Sequence, residues 1–172
     1  MATRTRSITD RMRGAAMLDV ATYEEVEADV NATGQAAVVV AIVAVASAIG
    51  AVGQGGAGVI GQLVSALLGW VVWAGITYLV GDKLLGGTAS WGELLRTLGF
   101  AQSPGVLYAL AFVPLLGWLV RAVVGIWVLV AGIVAIRQAL DFSTGKAVLT
   151  AILGWCVIVI PAALLGLSLM GR

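Results

Sequence analysis

The chain divides into a polar N-terminal segment and a long apolar remainder. Residues 1–33 hold most of the charges, whereas from Gly34 onward apolar runs alternate with short polar stretches. An apolar run of about 20 residues is what an α-helix needs to cross a bilayer. We therefore predict an all-α protein, with a cytoplasmic or interfacial helical segment over 1–33 and a five-helix transmembrane bundle over 34–172. The predicted spans are 35–53, 59–81, 94–115, 117–139 and 147–169.

The N-terminal segment has helical patterning of its own. Ile8, Met12 and Ala15 recur at helical spacing, which suits a helix lying on the membrane surface. Thr22 and Glu25 have the spacing of a capping box, which predicts a second helix beginning at Thr22. The competing interpretation is a partly disordered tail.

The stretch 141–147, DFSTGKA, contains a Gly-Lys pair next to Ser and Thr, as phosphate-binding loops do. Such a loop also needs a glycine five residues before that Gly, a Ser or Thr directly after the Lys, and a preceding strand. Leu140 and Ala147 occupy the two required positions, and a predicted helix precedes them. We interpret the stretch as a turn in which Ser143 or Thr144 caps the last helix, and we predict no nucleotide partner.

Composition supports the membrane class and excludes several chemistries. The 172 residues are 60% hydrophobic and 11% charged, against about 25% charged in a typical soluble domain. A net charge of +1 gives no general attraction to nucleic acid. The chain has no His and one Cys, Cys156, which excludes histidine-ligated haem, the usual zinc sites and an internal disulfide. We expect no cofactor and no catalytic residues.

Lysine and arginine positions predict the orientation in the membrane. With the N-terminus in the cytoplasm, eight of the ten basic residues lie on that side, and only Arg121 and Arg172 lie on the other. Basic residues concentrate in cytoplasmic loops. We therefore expect a cytoplasmic N-terminus and an external C-terminus.

Small residues recur every fourth position on two predicted spans, a spacing that lets helix backbones approach closely. They predict helix packing within the chain or, alternatively, a homodimer contact. The residues are Ala57, Gly61, Ser65 and Gly69 on the second span, and Ala131 and Ala135 on the fourth.

Charged residues gather at the predicted cytoplasmic ends of the spans. Ser90 and Glu93 have capping-box spacing, so a helix is expected to begin there. The spacings of Glu93 to Arg96 and of Arg137 to Asp141 predict two ion pairs. We interpret the cluster as interfacial anchors or, alternatively, a docking surface for a headgroup or a partner. Its members are Asp82, Lys83, Glu93, Arg96, Arg137, Asp141 and Lys146.

Three residues interrupt the third predicted span. Pro104 removes one backbone hydrogen bond from the helix, and Gln102 and Ser103 place polar side chains beside it. Ser103 can satisfy the carbonyl that the proline leaves free. We interpret the interruption as a structural kink; the alternative is the lining of a path for a small polar solute.

Four sequence stretches, in their order and spacing, resemble the bacterial branch of the Yip family of Ypt/Rab-GTPase-interacting proteins. They are MLDVATYEEVEAD (17–29), ELLRTLGFAQSP (93–104), IWVLVAGIVAIRQAL (126–140) and FSTGKAVLTAILGW (142–155). The resemblance covers residues 17–168 and implies five spans with a cytoplasmic N-terminus, in a bacterial cytoplasmic membrane. Eukaryotic members bind prenylated Rab GTPases, but their Asp-Leu-Tyr-Gly-Pro stretch is replaced here by VATYEEVEADV. The resemblance therefore implies a fold without implying GTPase binding.

Three functions remain open from the sequence. The first is a non-enzymatic scaffold or adaptor that organises membrane or protein assembly through small-residue faces, with membrane proteins or further copies of itself as partners. The second is an accessory subunit of a larger membrane complex of the electron-transfer or light-harvesting type. The third is a small-solute channel or transporter through the interrupted third span.

Overall fold

The computed structural model describes residues 6–52, 58–113 and 115–170, with 158–170 described by backbone alone. Helices joined by short turns and loops make up these described residues. We number the α-helices in chain order. They are α1 (Ile8–Ala16), α2 (Val20–Ala28), α3 (Ala32–Gly50), α4 (Val59–Thr77), α5 (Trp91–Ala101), α6 (Gly117–Ala139) and α7 (Thr144–Met170). A π-helix (Tyr78–Leu84) continues α4, and a 3₁₀-helix (Ser103–Phe112) follows α5. The predicted all-α class is confirmed.

Three helical segments are long and apolar enough to cross a membrane: Ala32–Gly50, Val59–Leu84 and Gly117–Ala139. They match the first, second and fourth predicted spans. The third predicted span is divided between α5 and the 3₁₀-helix. The fifth lies inside α7, whose apolar portion with described side chains is Thr144–Val157. The structure therefore supports a membrane protein with three candidate spans.

Local sequence signals account for several helix ends. The predicted capping box of α5 is confirmed, because Ser90 Oγ accepts from the N–H of Glu93 while the Glu93 carboxylate accepts from the N–H of Ser90. The predicted start of α2 is wrong. That helix begins at Val20, and the Thr22 hydroxyl donates to Asp19 Oδ2 at 2.6 Å instead of capping the helix.

The stretch 141–147 forms the predicted turn between two helices. α6 ends at Ala139, and Asp141 has a φ of 52°, a left-handed conformation that reverses the chain. The N–H of Phe142 then donates to the carbonyl of Arg137 at 2.9 Å, as at many helix C-termini. α7 begins at Thr144, and Ser143 Oγ accepts from the N–H of Lys146 at 3.5 Å.

The centre of the molecule is the contact of α3 with α5 and the 3₁₀-helix. Glycines allow a close approach there: a Cβ placed on Gly99 would lie 2.7 Å from Ala36 Cβ, and one on Gly105 would lie 2.6 Å from Val43 Cγ1. Phe100 is fully buried, and Trp70 of α4 donates from Nε1 to the carbonyl of Leu95 at 3.0 Å. These contacts hold α3, α4 and α5 in one packed unit.

The two N-terminal helices form a hairpin, which we call the N-terminal hairpin, that packs against α5 and α6. Ala15, Tyr23 and Val26 on its inner side are fully buried, and Tyr23 donates from its hydroxyl to the Ala15 carbonyl at 3.1 Å. At its turn, Trp127 of α6 donates from Nε1 to the carbonyl of Ala16 at 2.8 Å. Residues 8–28 are therefore a folded part of the bundle in this structure.

Candidate functional site

The small-residue positions of the second and fourth predicted spans lie in different surroundings. Ser65 and Gly69 of α4 are exposed, and a Cβ on Gly69 would meet no atom within 4 Å. Gly61 is half-buried near the start of the same helix, and Ala57 lies outside the described residues. In contrast, Ala131 and Ala135 of α6 are fully buried in the core. The face of α4 is therefore open, whereas the α6 alanines already pack within the chain.

The charged residues at the helix ends lie at one end of the bundle but do not form a single network. Asp82 and Lys83 pair with each other at 2.7 Å. Lys146 Nζ donates to the carbonyl of Leu85 at 3.4 Å. Thr88 donates from its hydroxyl to Asp141 Oδ2 at 2.8 Å, joining the end of α6 to the loop before α5.

The two predicted ion pairs are wrong. Arg137 donates from Nε to the side chain of Gln138 at 3.0 Å, while Asp141 accepts from Thr88. Glu93 closes the capping box of α5. Other hydrogen bonds replace the expected partner in both pairs: Arg137 and Glu93 bond residues within three positions of themselves, and Asp141 accepts from the loop before α5.

Arg96 is buried rather than interfacial. Its side chain is only 6% exposed, and Nε donates to the carbonyls of Val26 at 3.1 Å and Glu27 at 3.0 Å. A second donor, Nη2, also reaches the Glu27 carbonyl. These carbonyls stand in the last turn of α2, where a helix lacks internal donors and favours a cation. Arg96 therefore attaches the N-terminal hairpin to α5.

A second buried arginine, which sequence patterning did not single out, ties the hairpin to α3. Arg11 is 1% exposed and donates to Asp29 Oδ2 at 2.7 Å, to Glu25 Oε1 at 3.0 Å and to Gln35 Oε1 at 2.9 Å. The hydrogen bond from Arg11 lowers the pKa of Asp29. The sequence did indicate ion pairing within 1–33, because four arginines are followed there by five acidic residues. This charge pattern does not identify which arginine becomes buried or which carboxylates it binds.

A cavity of about 290 Å³ with an acidic lining, which we call the acidic pocket, lies where α2, the start of α5 and the end of α6 meet. Burial raises the pKa of Glu27 to about 7, and repulsion from nearby carboxylates adds to the rise. Among the residues that the structure describes, no group of three or more Cys, Asp or Glu is arranged to hold a metal ion. The pocket is lined by Glu24, Glu27, Ala28, Glu93, Gln138 and Asp141.

The interruption of the third predicted span falls at Gln102, between the end of α5 and the start of the 3₁₀-helix. Ser103 Oγ donates to the Phe100 carbonyl at 2.6 Å, which is the acceptor that Pro104 cannot reach with an N–H of its own. Ser103 and Pro104 are buried, whereas Gln102 is part-exposed to two cavities. A 3₁₀-helix rarely runs beyond a single turn, so the ten residues of this one make it unusually long.

Comparison with known proteins supplies the family. The model of the Yip1 domain matches residues 20–167, which is most of the chain. Comparisons with curated proteins and with solved structures each found no match. The matched region begins at the first residue of α2, so it includes half of the N-terminal hairpin together with the apolar helices. The chain therefore belongs to the Yip family, with a Yip1 domain formed by α2 to α7.

Proposed function

We propose that the protein is a non-enzymatic membrane scaffold or adaptor that assembles with other membrane proteins or with further copies of itself. The observation that carries this proposal is the open face of α4, where Ser65 and Gly69 are exposed in the middle of an apolar helix. Helices associate inside membranes by close packing at small residues, since lipid tails are as apolar as leucine. An exposed small-residue face on such a helix suits contact with another helix.

We also propose that α5 with its 3₁₀-helix, and α7, complete a five-span bundle. Eleven α-helical residues and ten 3₁₀ residues together extend about 36 Å, enough for a hydrocarbon core of about 30 Å. The 27 residues of α7 extend about 40 Å. Five spans and the distribution of basic residues support a cytoplasmic N-terminus and an external C-terminus. Labelling of single cysteines introduced at Thr9 and Gly58, on intact cells, tests this topology: reagent should reach only the second.

The assembly proposal is tested by cross-linking in native membranes, followed by size and stoichiometry in mild detergent. Ser65→Leu and Gly69→Leu should each reduce the assembled fraction, because a large side chain separates the helices. Gly75→Leu is the matched control, since it makes the same change at an open position about 120° around the helix from Gly69. Gly69 also borders a cavity described below, so the Ser65 variant is decisive for the face.

The outcomes distinguish the candidate functions. A homo-oligomer lost in both face variants and kept in the control supports self-assembly. A single different protein held at fixed stoichiometry, and released by the same variants, supports the accessory-subunit alternative. An identical assembled fraction in all three variants would refute the role of the α4 face.

A further inference from the structure

Beside the 3₁₀-helix lies a cavity of about 280 Å³, which we call the polar cavity. Four neutral side chains capable of hydrogen bonding line it from separate parts of the fold: Ser47 of α3, Gln62 of α4, Gln102, and Tyr108 of the 3₁₀-helix. All four are part-buried. Apolar walls, including Trp70 and Trp73, complete the lining.

These four groups remain available for a ligand. The side-chain hydrogen bonds around them, such as those of Trp70, Ser103 and Arg121, engage other partners, and within the described residues none joins any of the four. Polar groups inside a membrane protein normally find partners, because an unsatisfied one is costly in hydrocarbon. Four unpaired groups around one cavity therefore point to an occupant that supplies both donors and acceptors.

A second cavity of about 280 Å³, which we call the apolar cavity, adjoins the first. Trp73 and Gln102 belong to the walls of both. The apolar cavity lies between α4, α5, α6 and α7, and its described lining is apolar or aromatic except for the side chain of Gln102. Glycine positions widen it on α6, where a Cβ on Gly132 would meet no atom within 4 Å. The pair of cavities thus offers a polar compartment next to a hydrocarbon-like one.

We propose that the two cavities form a binding site for an uncharged, hydroxyl-bearing amphipathic molecule of the acylglycerol class. Its glycerol moiety occupies the polar cavity and one hydrocarbon tail occupies the apolar cavity. Carboxamides and hydroxyls both donate and accept hydrogen bonds, which matches a hydroxyl or ester group. Among the residues described around the polar cavity there is no Asp, Glu, Lys or Arg, so a charged head group would be buried there without a counter-ion. A volume of 280 Å³ accommodates about nine waters, which is sufficient for a glycerol moiety.

The test uses the purified full chain in phosphatidylcholine nanodiscs and reads tryptophan fluorescence, since Trp73 lines both cavities. Dioleoylglycerol brominated on its acyl chains is added as the quencher, and phosphatidylcholine with the same brominated chains is the reference. We expect the diacylglycerol to quench more than the reference does at equal content. That excess reports selective binding, because lipid contact from the bulk bilayer is the same for both.

Variants assign the excess quenching to the cavities. Gln102→Met keeps the side-chain volume but removes the amide, and should require about five- to tenfold more diacylglycerol for half-maximal quenching. Gly132→Leu fills the apolar cavity and should abolish the excess. Gln138→Met is the matched control, because Gln138 lines neither cavity and should behave as the unmodified chain does. None of the three lies on the open face of α4, so assembly should be unchanged and the proposed function is tested separately.

Free glycerol distinguishes the source of the hydroxyl chemistry. One outcome is that glycerol changes the fluorescence, that Gln102→Met loses this change, and that the brominated lipid gives no excess quenching. That outcome assigns the polar cavity to a free polyol. Excess quenching by the lipid assigns both cavities to an acylglycerol. Equal quenching by the two brominated lipids together with no response to glycerol would overturn the site, and so would an excess that persists unchanged in both cavity variants.

Discussion

Replacing Arg96 by methionine should release the N-terminal hairpin while leaving the apolar bundle folded. The guanidinium, 6% exposed, donates to the carbonyls of Val26 and Glu27 in the last turn of α2. Methionine retains an unbranched apolar side chain in contact with α5 but has no donor for these carbonyls. The core contacts of α3 with α5 do not involve the guanidinium, so they should persist.

The size of the effect follows from the bonds that are lost. A hydrogen bond from a charged donor contributes about 1.5–3 kcal/mol, and a cation at a helix C-terminus adds about 0.5 kcal/mol. Desolvation of the buried guanidinium offsets part of the gain from two acceptors. We therefore expect the docking free energy of the hairpin to fall by about 2–4 kcal/mol. At 1.4 kcal/mol per factor of ten, the undocked population rises by about 30- to 1000-fold.

Hydrogen exchange followed by mass spectrometry measures this directly. Amides of α2 should exchange faster by that factor in Arg96→Met, while amides in the middle of α3 keep their protection. Arg137→Met is the control, because it replaces the same side chain by the same residue at a different place. Arg137 is half-buried, and its Nε bonds Gln138 rather than the end of α2. Unchanged exchange of α2 in Arg96→Met, or an equal increase in the control, would refute the assignment of Arg96 as the attachment between α2 and α5.

Three further predictions concern the hairpin and the core. The pKa of Glu27 is about 7 in the folded chain and ordinarily 4.5, so the folded chain binds the carboxyl proton more tightly than the unfolded chain does. The free energy of unfolding should therefore fall as pH rises from about 4.5 to 7. Allowing for partial exposure the loss is about 1–2 kcal/mol, and a Glu27→Gln chain should lack this pH dependence in thermal unfolding. Arg11→Met should destabilise the hairpin by about 3–5 kcal/mol, since Asp29 loses its cation and Glu25 keeps only its pair with Arg6; proteolysis at the turn near Leu18 should accelerate. Gly50→Ala should lower the midpoint of thermal unfolding, because the added Cβ would clash with the carbonyl of Tyr108, whereas Gly145→Ala, in open space, should not.

Local patterns in the sequence were sufficient to locate the three long apolar helices. Apolar runs located Ala32–Gly50, Val59–Leu84 and Gly117–Ala139, because an apolar stretch with few charges that is long enough to cross a bilayer has few alternatives to a helix. The capping box at Ser90 and the turn over 141–147 were also readable, since each depends on residues three or four positions apart. Membership of the Yip family followed from the order of short sequence stretches along the chain.

Local spacing failed where a residue had a choice of partners. Arg96 was expected to pair with Glu93, yet it bonds carbonyls that are 69 and 70 residues away in sequence. Thr22 was expected to begin a helix, but the helix begins at Val20 and the Thr22 hydroxyl donates to Asp19. Similarly, local spacing after Gln102 did not indicate the close approach of Gly105 to Val43 of α3.

The chain alone thus established the class, the membrane environment and the succession of helices, because hydrophobic length and short-range capping act within a few residues. Tertiary structure decided which charges became buried, which small-residue face stayed open, and which polar side chains surround a common cavity. Those outcomes depend on distances between segments that are far apart in sequence. A buried arginine such as Arg11 is stable only where Glu25, Asp29 and Gln35 converge on it, and only the packing of α1, α2 and α3 brings them together.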